Sequence, residues 1–162
     1  MYITWFFSVL KYFQYGFEFS VHIYLYHVLV MQMDFYSFAD GAYCHTSNFA
    51  STTWVLYSPA YDLVSSWVVC IGPATNNITE YRAVTGLLTE AASQDVCNLV
   101  VLMDSQLVVF HLNHVYTIRN PMLLHLFKRV HLLERSFETI TYRNIPREHN
   151  VVADSLANYI LD

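Results

Sequence analysis

The stretch Leu99-Val100-Val101-Leu102-Met103-Asp104-Ser105-Gln106 constrains the fold of this chain more than any other. Five apolar residues run unbroken into an acid, and helix-compatible sequence follows at once. An apolar run of that length without polar alternation suits a strand covered on both faces, as in the middle of a mostly parallel sheet. Asp104 then stands at the carboxyl end of a central strand, the edge at which open α/β sheets bind their ligands. A plainer reading of the same residues is that Asp104 or Ser105 caps the following helix, since both are good N-cap residues.

The flanking elements fit one layered domain. Phe35 to Asp40 reads as a short aromatic-rich strand closed by Asp40-Gly41, a turn signal. Trp54 to Tyr57 and Leu63 to Ile71 read as two more strands, separated by Ser58-Pro59, and the short connections imply an antiparallel meander. The period then changes: Val84, Leu87, Leu88 and Ala91 fall at i, i+3, i+4 and i+7, one face of a helix. Asn77-Ile78-Thr79-Glu80 has the spacing of a capping box at its start. A helix between two strands makes a right-handed crossover, which sets Leu99 to Met103 parallel to the first strand and beside it. Ser105 to Asn113 reads as a short helix, and Asn120-Pro121 opens another. Leu123, Leu126, Phe127, Val130, Leu133 and Phe137 supply its buried face. Thr139 to Ile145 is a last strand, stopped by Pro146. Asn150 opens a final helix with Val152, Leu156 and Tyr159 or Ile160 facing inward. The expected architecture is α/β, a five-stranded mixed sheet of three antiparallel strands and then two parallel ones, flanked by helices.

Composition narrows the class. A chain of 162 residues, 55% hydrophobic and 13% charged, has material for one domain with a real core and is a poor candidate for disorder. Its formal net charge of −5 advertises no basic nucleic-acid surface, so a polyanionic partner would have to be held by local geometry or by bridging cations. Cys44, Cys70 and Cys97 are far apart and form no C-x-x-C pair. They read as small buried hydrophobes in a reducing, intracellular compartment.

Residues 1–33 differ from the rest, forming an aromatic-rich N-terminal extension to a domain expected over residues 34–162. Lys11, Gln14, Glu18, His22 and His27 interrupt every window of about 20 residues that a membrane span would need. No cationic start or small-residue cleavage site marks a signal peptide. The segment reads as an extension packed on the domain or as flanking sequence without a fold of its own; a membrane-anchoring role rests on aromatic content alone.

Four acids fall at comparable places: Asp40 and Asp104 at strand ends, Glu80 in a first helical turn, Asp154 early in the last helix. Each has an ordinary structural duty available, namely turn, cap, capping box or helix-dipole partner. Jointly they converge on one sheet edge. Carboxylates packed together repel unless a cation neutralises them, and hard oxygen ligands select Mg²⁺ or Mn²⁺. Two such ions about 3.5–4 Å apart would serve an in-line phosphodiester displacement, so the acids suggest metal-dependent phosphoryl-group hydrolysis.

Phe38-Ala39-Asp40-Gly41-Ala42, Thr75-Asn76-Asn77-Ile78-Thr79-Glu80-Tyr81, Asp104-Ser105-Gln106 and the segment from Ile145 to Ala157 (Ile-Pro-Arg-Glu-His-Asn-Val-Val-Ala-Asp-Ser-Leu-Ala) together resemble the type 1 ribonuclease H family. The resemblance covers about residues 34–162, with all four motifs in the family's order, and looks closest to the ribonuclease H domains of plant retrotransposon polyproteins. It implies a ribonuclease H-like fold, and cleavage of the RNA strand of RNA/DNA hybrids with two Mg²⁺ ions (or Mn²⁺) held by Asp40, Glu80, Asp104 and Asp154. By the same resemblance Asn76, Asn77 and Gln106 contact the minor groove of the hybrid. An acidic chain suits this, because a hybrid is recognised by shape and 2′-hydroxyls.

Two departures from the family pattern stand out. A His that commonly precedes the Ile-Pro-Arg segment and assists proton transfer or product release is here Asn144, which cannot titrate near pH 7; His149 lies close in sequence and reads either as a substitute or as an ordinary polar loop residue. Relatives carry several glycines between the first two strands, whereas none occurs between Gly41 and Gly72, so a distorted hairpin is expected. The first points to slow cleavage and the second to weakened substrate contacts. The alternative is a catalytically inert, ribonuclease H-like nucleic-acid-binding relic of a retroelement.

Overall fold

The computed structural model describes residues 33–44 and 49–159. Expectations for residues 1–32 and for Ile160 lie outside these. The described residues from Asp34 onward form one compact unit. Strands β1 (Phe35–Cys44), β2 (Phe49–Tyr57) and β3 (Leu63–Gly72) precede helix α1 (Asn76–Ser93) and strand β4 (Asn98–Met103). Helices α2 (Gln106–Leu112) and α3 (Pro121–Leu133), strand β5 (Thr139–Asn144) and helix α4 (Val151–Tyr159) complete the order. The sheet runs β3-β2-β1-β4-β5. Its first three strands pair antiparallel, and β4 pairs parallel with both β1 and β5. Among the described residues, no helix is long and apolar enough to cross a membrane.

The expected central strand is central. Leu99, Val100, Val101 and Met103 are almost wholly buried, between β1 on one side and β5 on the other. Helix α1 holds its place by burial: Val84, Leu87, Leu88 and Ala91 are fully enclosed, each large side chain contributing about 1.5–3 kcal/mol. That outweighs the weak helix propensity of its threonines and Gly86. On α3, Asn120 accepts hydrogen bonds from the Met122 and Leu123 amides, with Pro121 at the first helical position. Leu123, Leu126 and Val130 face the core, with Phe127, Leu133 and Phe137 packed beside them.

Several local expectations are corrected. Asp40-Gly41 is not a turn: β1 continues to Cys44, with Asp40 opposite Thr53 and Gly41 opposite Thr52. The β1–β2 pairing runs without interruption from Tyr36 and Tyr57 to Cys44 and Phe49, so the described part of this hairpin is regular although no glycine follows Gly41 in it. Ala50, Ser51, Thr52 and Thr53 are all buried, and small and β-branched side chains suit such a pleated, covered surface. The capping box at Asn77 does not form either. Helix α1 starts two residues earlier, with Thr75 at the N-cap, whose carbonyl accepts from the Ile78 and Thr79 amides. On α4 the inward residues are Ala153 and Ala157, with Leu156 half-buried, whereas Val152 is 50% exposed. Small residues let the helix backbone reach the sheet, and the Ser51 hydroxyl donates to the Ala157 carbonyl at 2.6 Å. Cys70 is exposed on the edge strand and Cys97 half-buried, both as free thiols.

Candidate active site

Parallel pairing of β1 with β4 ends at Phe38 and Leu102. Asp40, within β1, and Asp104, just past the end of β4, each lie two residues beyond that pair. Side chains alternate faces along a strand, and this common offset brings the two acids side by side. Glu80 joins them from α1. Its carboxylate is not occupied by a cap because the helix has already begun four residues earlier. Nor does Asp104 cap α2, whose N-cap is Ser105. Three acids with ordinary local duties available thus perform none of them.

They meet instead. One carboxylate oxygen from each of Asp40, Glu80 and Asp104 lies within 4.8 Å of the others. Asp40 is 4% exposed and Glu80 3%. Burial, and then the charge of Asp104, push Asp40 up to about 6. Burial followed by the charges of Asp40 and Asp104 raises Glu80 well above the ordinary carboxylate range. The Gly41 amide, hydrogen-bonding to both groups, and the Arg147 charge oppose these shifts. Glu80 Oε2 is buried without a hydrogen-bond partner. Buried oxygens that repel one another and lack donors are a poor resting arrangement for anions. They fit a hard divalent cation, which accepts an all-oxygen donor set.

Asp154 stands apart from this trio. It lies in the first turn of α4 and raises Asp40 by its charge, but its carboxylate is paired with the Arg147 guanidinium. Asp40, Glu80 and Asp104 border a cleft of about 880 Å³, whose lining does not include Asp154. Asn76, Gln106 and Asn144 also line it, while Asn77 and His149 do not. Asn144 Nδ2 donates to the Met103 carbonyl at 3.1 Å, tying the ends of β5 and β4 together. His149 sits exposed on a 3-10 turn, Arg147–His149.

Two residues of the site carried no individual signal in the sequence. Asn150, fully buried, donates from Nδ2 to the Ala39 carbonyl at 3.2 Å and makes a longer contact of 3.4 Å with Asp104 Oδ1. It therefore does more than open α4. Arg147 brings a positive charge to the cleft. Both belong to the Ile145–Ala157 motif, which was the signal available for finding them.

Residues 38–160 match a family described as reverse transcriptase-like. A bifunctional protein of Mycobacterium tuberculosis is 39% identical over 92 residues, covering 57% of this chain but only 25% of that protein. The solved N-terminal RNase H domain of the same mycobacterial protein, fused to maltose binding protein, superposes at TM-score 0.76 with 31% identity, covering 80% of this chain and 100% of the other. Ribonuclease HI of Halobacterium salinarum is 33% identical over 127 residues, 78% of this chain and 64% of the relative. Its structure superposes at TM-score 0.76 with 32% identity, covering 80% and 98% of the two chains. LC11-RNase H1, solved in complex with an RNA/DNA hybrid, superposes at TM-score 0.68 with 25% identity over 77% of this chain and 94% of that one. With a family match spanning most of its length and this sheet order, the chain belongs to the reverse transcriptase-like family and has the ribonuclease H-like fold.

Proposed function

We propose that this chain hydrolyses the RNA strand of RNA/DNA hybrids, using two Mg²⁺ ions (or Mn²⁺) held by Asp40, Glu80, Asp104 and Asp154. In this reading the catalytic unit is of type 1, spans residues 34–162 and derives from a retroelement polyprotein, and residues 1–33 are an extension to it. The observation that carries the proposal is the meeting of three carboxylates within 4.8 Å, two of them buried and one with an orphaned oxygen. The crystallised complex of LC11-RNase H1 with an RNA/DNA hybrid supports the choice of substrate.

Bound there, Mg²⁺ would activate water and stabilise the leaving oxygen of the phosphodiester displacement. The chain's own residues do the rest. Asp40, Glu80 and Asp104 form a preorganised anionic floor, and the buried Asn150 braces Asp104 from below. Asn76 and Gln106, on the wall of the cleft, offer amide donors to the minor groove, where base edges and 2′-hydroxyls are displayed. Asn77 is a minor-groove contact from the same helix start, outside the cleft lining. Asn144 can hydrogen-bond but cannot shuttle a proton, so turnover is slow; His149 is the only nearby imidazole on that turn.

The decisive assay is incubation of folded protein with a labelled RNA/DNA hybrid in Mg²⁺, beside Asp104→Asn. Cleavage by the wild type, abolished by the substitution and by chelator, is the expected result. Uncut hybrid with folded wild-type protein would overturn the proposal.

A further inference from the structure

The turn joining β5 to α4 carries an arginine whose backbone is braced and whose side chain is largely in solvent. At one end the Ile145 amide donates to the Met103 carbonyl at 2.8 Å. At the other, buried Asn150 is pinned to the Ala39 carbonyl. Between them the His149 and Asn150 amides close the turn on the Pro146 and Arg147 carbonyls, each at 2.9 Å. The Arg147 side chain is 71% exposed. Among the described residues lining the cleft it is the one permanent cation. Its guanidinium pairs with Asp154 and also feels the charges of Asp104 and Asp40.

Resting on the hybrid-cleaving reading above, we propose that Arg147 is a substrate-binding residue that exchanges partners. In the free protein it neutralises Asp154; when a nucleic-acid strand enters the cleft it transfers to a backbone phosphate and releases Asp154 to the cations. Charge balance favours the exchange. Four ionised carboxylates are matched by two divalent cations, which leaves the Arg147 charge unmatched, and each nucleotide brings one phosphate charge. Geometry favours it as well, because a guanidinium forks onto phosphate as readily as onto carboxylate. The ion pair being surrendered is an exposed one, and such pairs are weak. A fixed backbone then lets the side chain swing without disturbing Asp104.

The test uses the full chain and compares wild type, Arg147→Ala and Arg147→Lys in two measurements. In calorimetric titration with Mg²⁺ alone, Arg147→Ala is expected to bind Mg²⁺ about two- to fivefold more tightly, the range set by losing an exposed competing ion pair. In fluorescence anisotropy with a labelled RNA/DNA hybrid in Ca²⁺, Arg147→Ala is expected to bind about five- to tenfold more weakly. Its log–log salt dependence should flatten by about one phosphate's worth, while Arg147→Lys keeps that slope. Unchanged hybrid affinity and salt slope in Arg147→Ala, or weaker Mg²⁺ binding by it, would overturn the exchange. If wild type still cuts hybrid in that case, only this inference fails; a wild type that neither binds nor cuts hybrid removes the functional reading as well.

Discussion

Gly41 and Thr79 approach so closely that a Cβ on Gly41 would collide with the Thr79 hydroxyl and lie 2.7 Å from the Glu80 amide nitrogen. The glycine is there because α1 crosses β1 at this point, which brings Glu80 to Asp40. Gly41→Ala should destabilise the protein by about 1–3 kcal/mol, the usual range for overpacking, as read from denaturant unfolding. It should also weaken Mg²⁺ binding in calorimetric titration, because the helix must retreat from the strand. Adding Thr79→Ala should restore only part of the loss, since the backbone nitrogen of Glu80 remains in the way.

The charge pattern at the site predicts a protein destabilised by its own acids. Asp40 is raised to about 6 from its ordinary 3.8, with burial the larger cause and Asp104 the next. A raised carboxylate pKa means that the folded state holds more protons than the unfolded one between these values. Its contribution is therefore favourable at low pH and is lost as pH rises towards 6. Asp40→Asn should accordingly stabilise the metal-free protein at pH 7 by about 1–3 kcal/mol, with the gain shrinking towards pH 4. Thermal unfolding across this pH range in chelator checks it, and a wild type as stable as the variant at pH 7 would refute it. Added Mg²⁺ should raise the melting temperature of the wild type more than that of Asp40→Asn, and this rise should fade below about pH 6, where protons compete for the ligand.

These relationships mark where the sequence was readable. Leu99 to Met103 announced a covered central strand because burial on both faces leaves a continuous apolar run. Val84, Leu87, Leu88 and Ala91 announced a helix face because they all meet one core. Asp40-Gly41 misled because the same dipeptide suits a local turn and a close helix crossing, and only tertiary packing distinguishes them. The capping box at Asn77 failed for a related reason: Thr75 begins the helix through its carbonyl, which leaves no side-chain signature. The inner face of α4 was misassigned because hydrophobicity favours Val152 where contact distance favours Ala153 and Ala157. At the site, the acids and the amides of Asn76 and Gln106 were legible as motifs. The grip of Arg147 on Asp154 was not, since the sequence does not say which of several acids a flexible cation will choose.

A second glycine separates stability from chemistry. Gly86 lies on α1 against the Trp54 ring, and a Cβ there would stand 2.6 Å from Cη2 and closer still to Cζ3. Trp54 is nearly buried within the core cluster, so the ring has little room to yield. Gly86→Ala should destabilise the fold by about 1–3 kcal/mol, even though alanine is the better helix former by about 1 kcal/mol. Packing exceeds propensity here. Mg²⁺ binding should remain within about twofold of wild type under conditions where the variant is folded, because the strain falls six residues, about 9 Å, along the helix from Glu80. A large change in metal affinity would mean that the middle of α1 is coupled to its N-terminal turns.

Asn144→His tests whether a proton carrier at this position speeds turnover. Its side chain reaches the Met103 carbonyl and borders the cleft, so a ring placed there would keep an N–H donor for that carbonyl while presenting its second nitrogen to the site. Losing the present amide bond costs about 1 kcal/mol at most if the ring nitrogen replaces it imperfectly. In exchange, a group titrating near 6.5 enters a position where asparagine has none. General acid–base assistance contributes about 10²–10⁴-fold when well placed, and an unoptimised graft should recover less than that range. Asn144→His is therefore expected to raise kcat on an RNA/DNA hybrid by about tenfold, with a new limb in the pH–rate profile near the imidazole pKa. Single-turnover rates separate the two steps a His could assist. Faster bond cleavage points to proton transfer, faster steady-state turnover alone points to product release, and no gain in either places the auxiliary group elsewhere on the cleft wall.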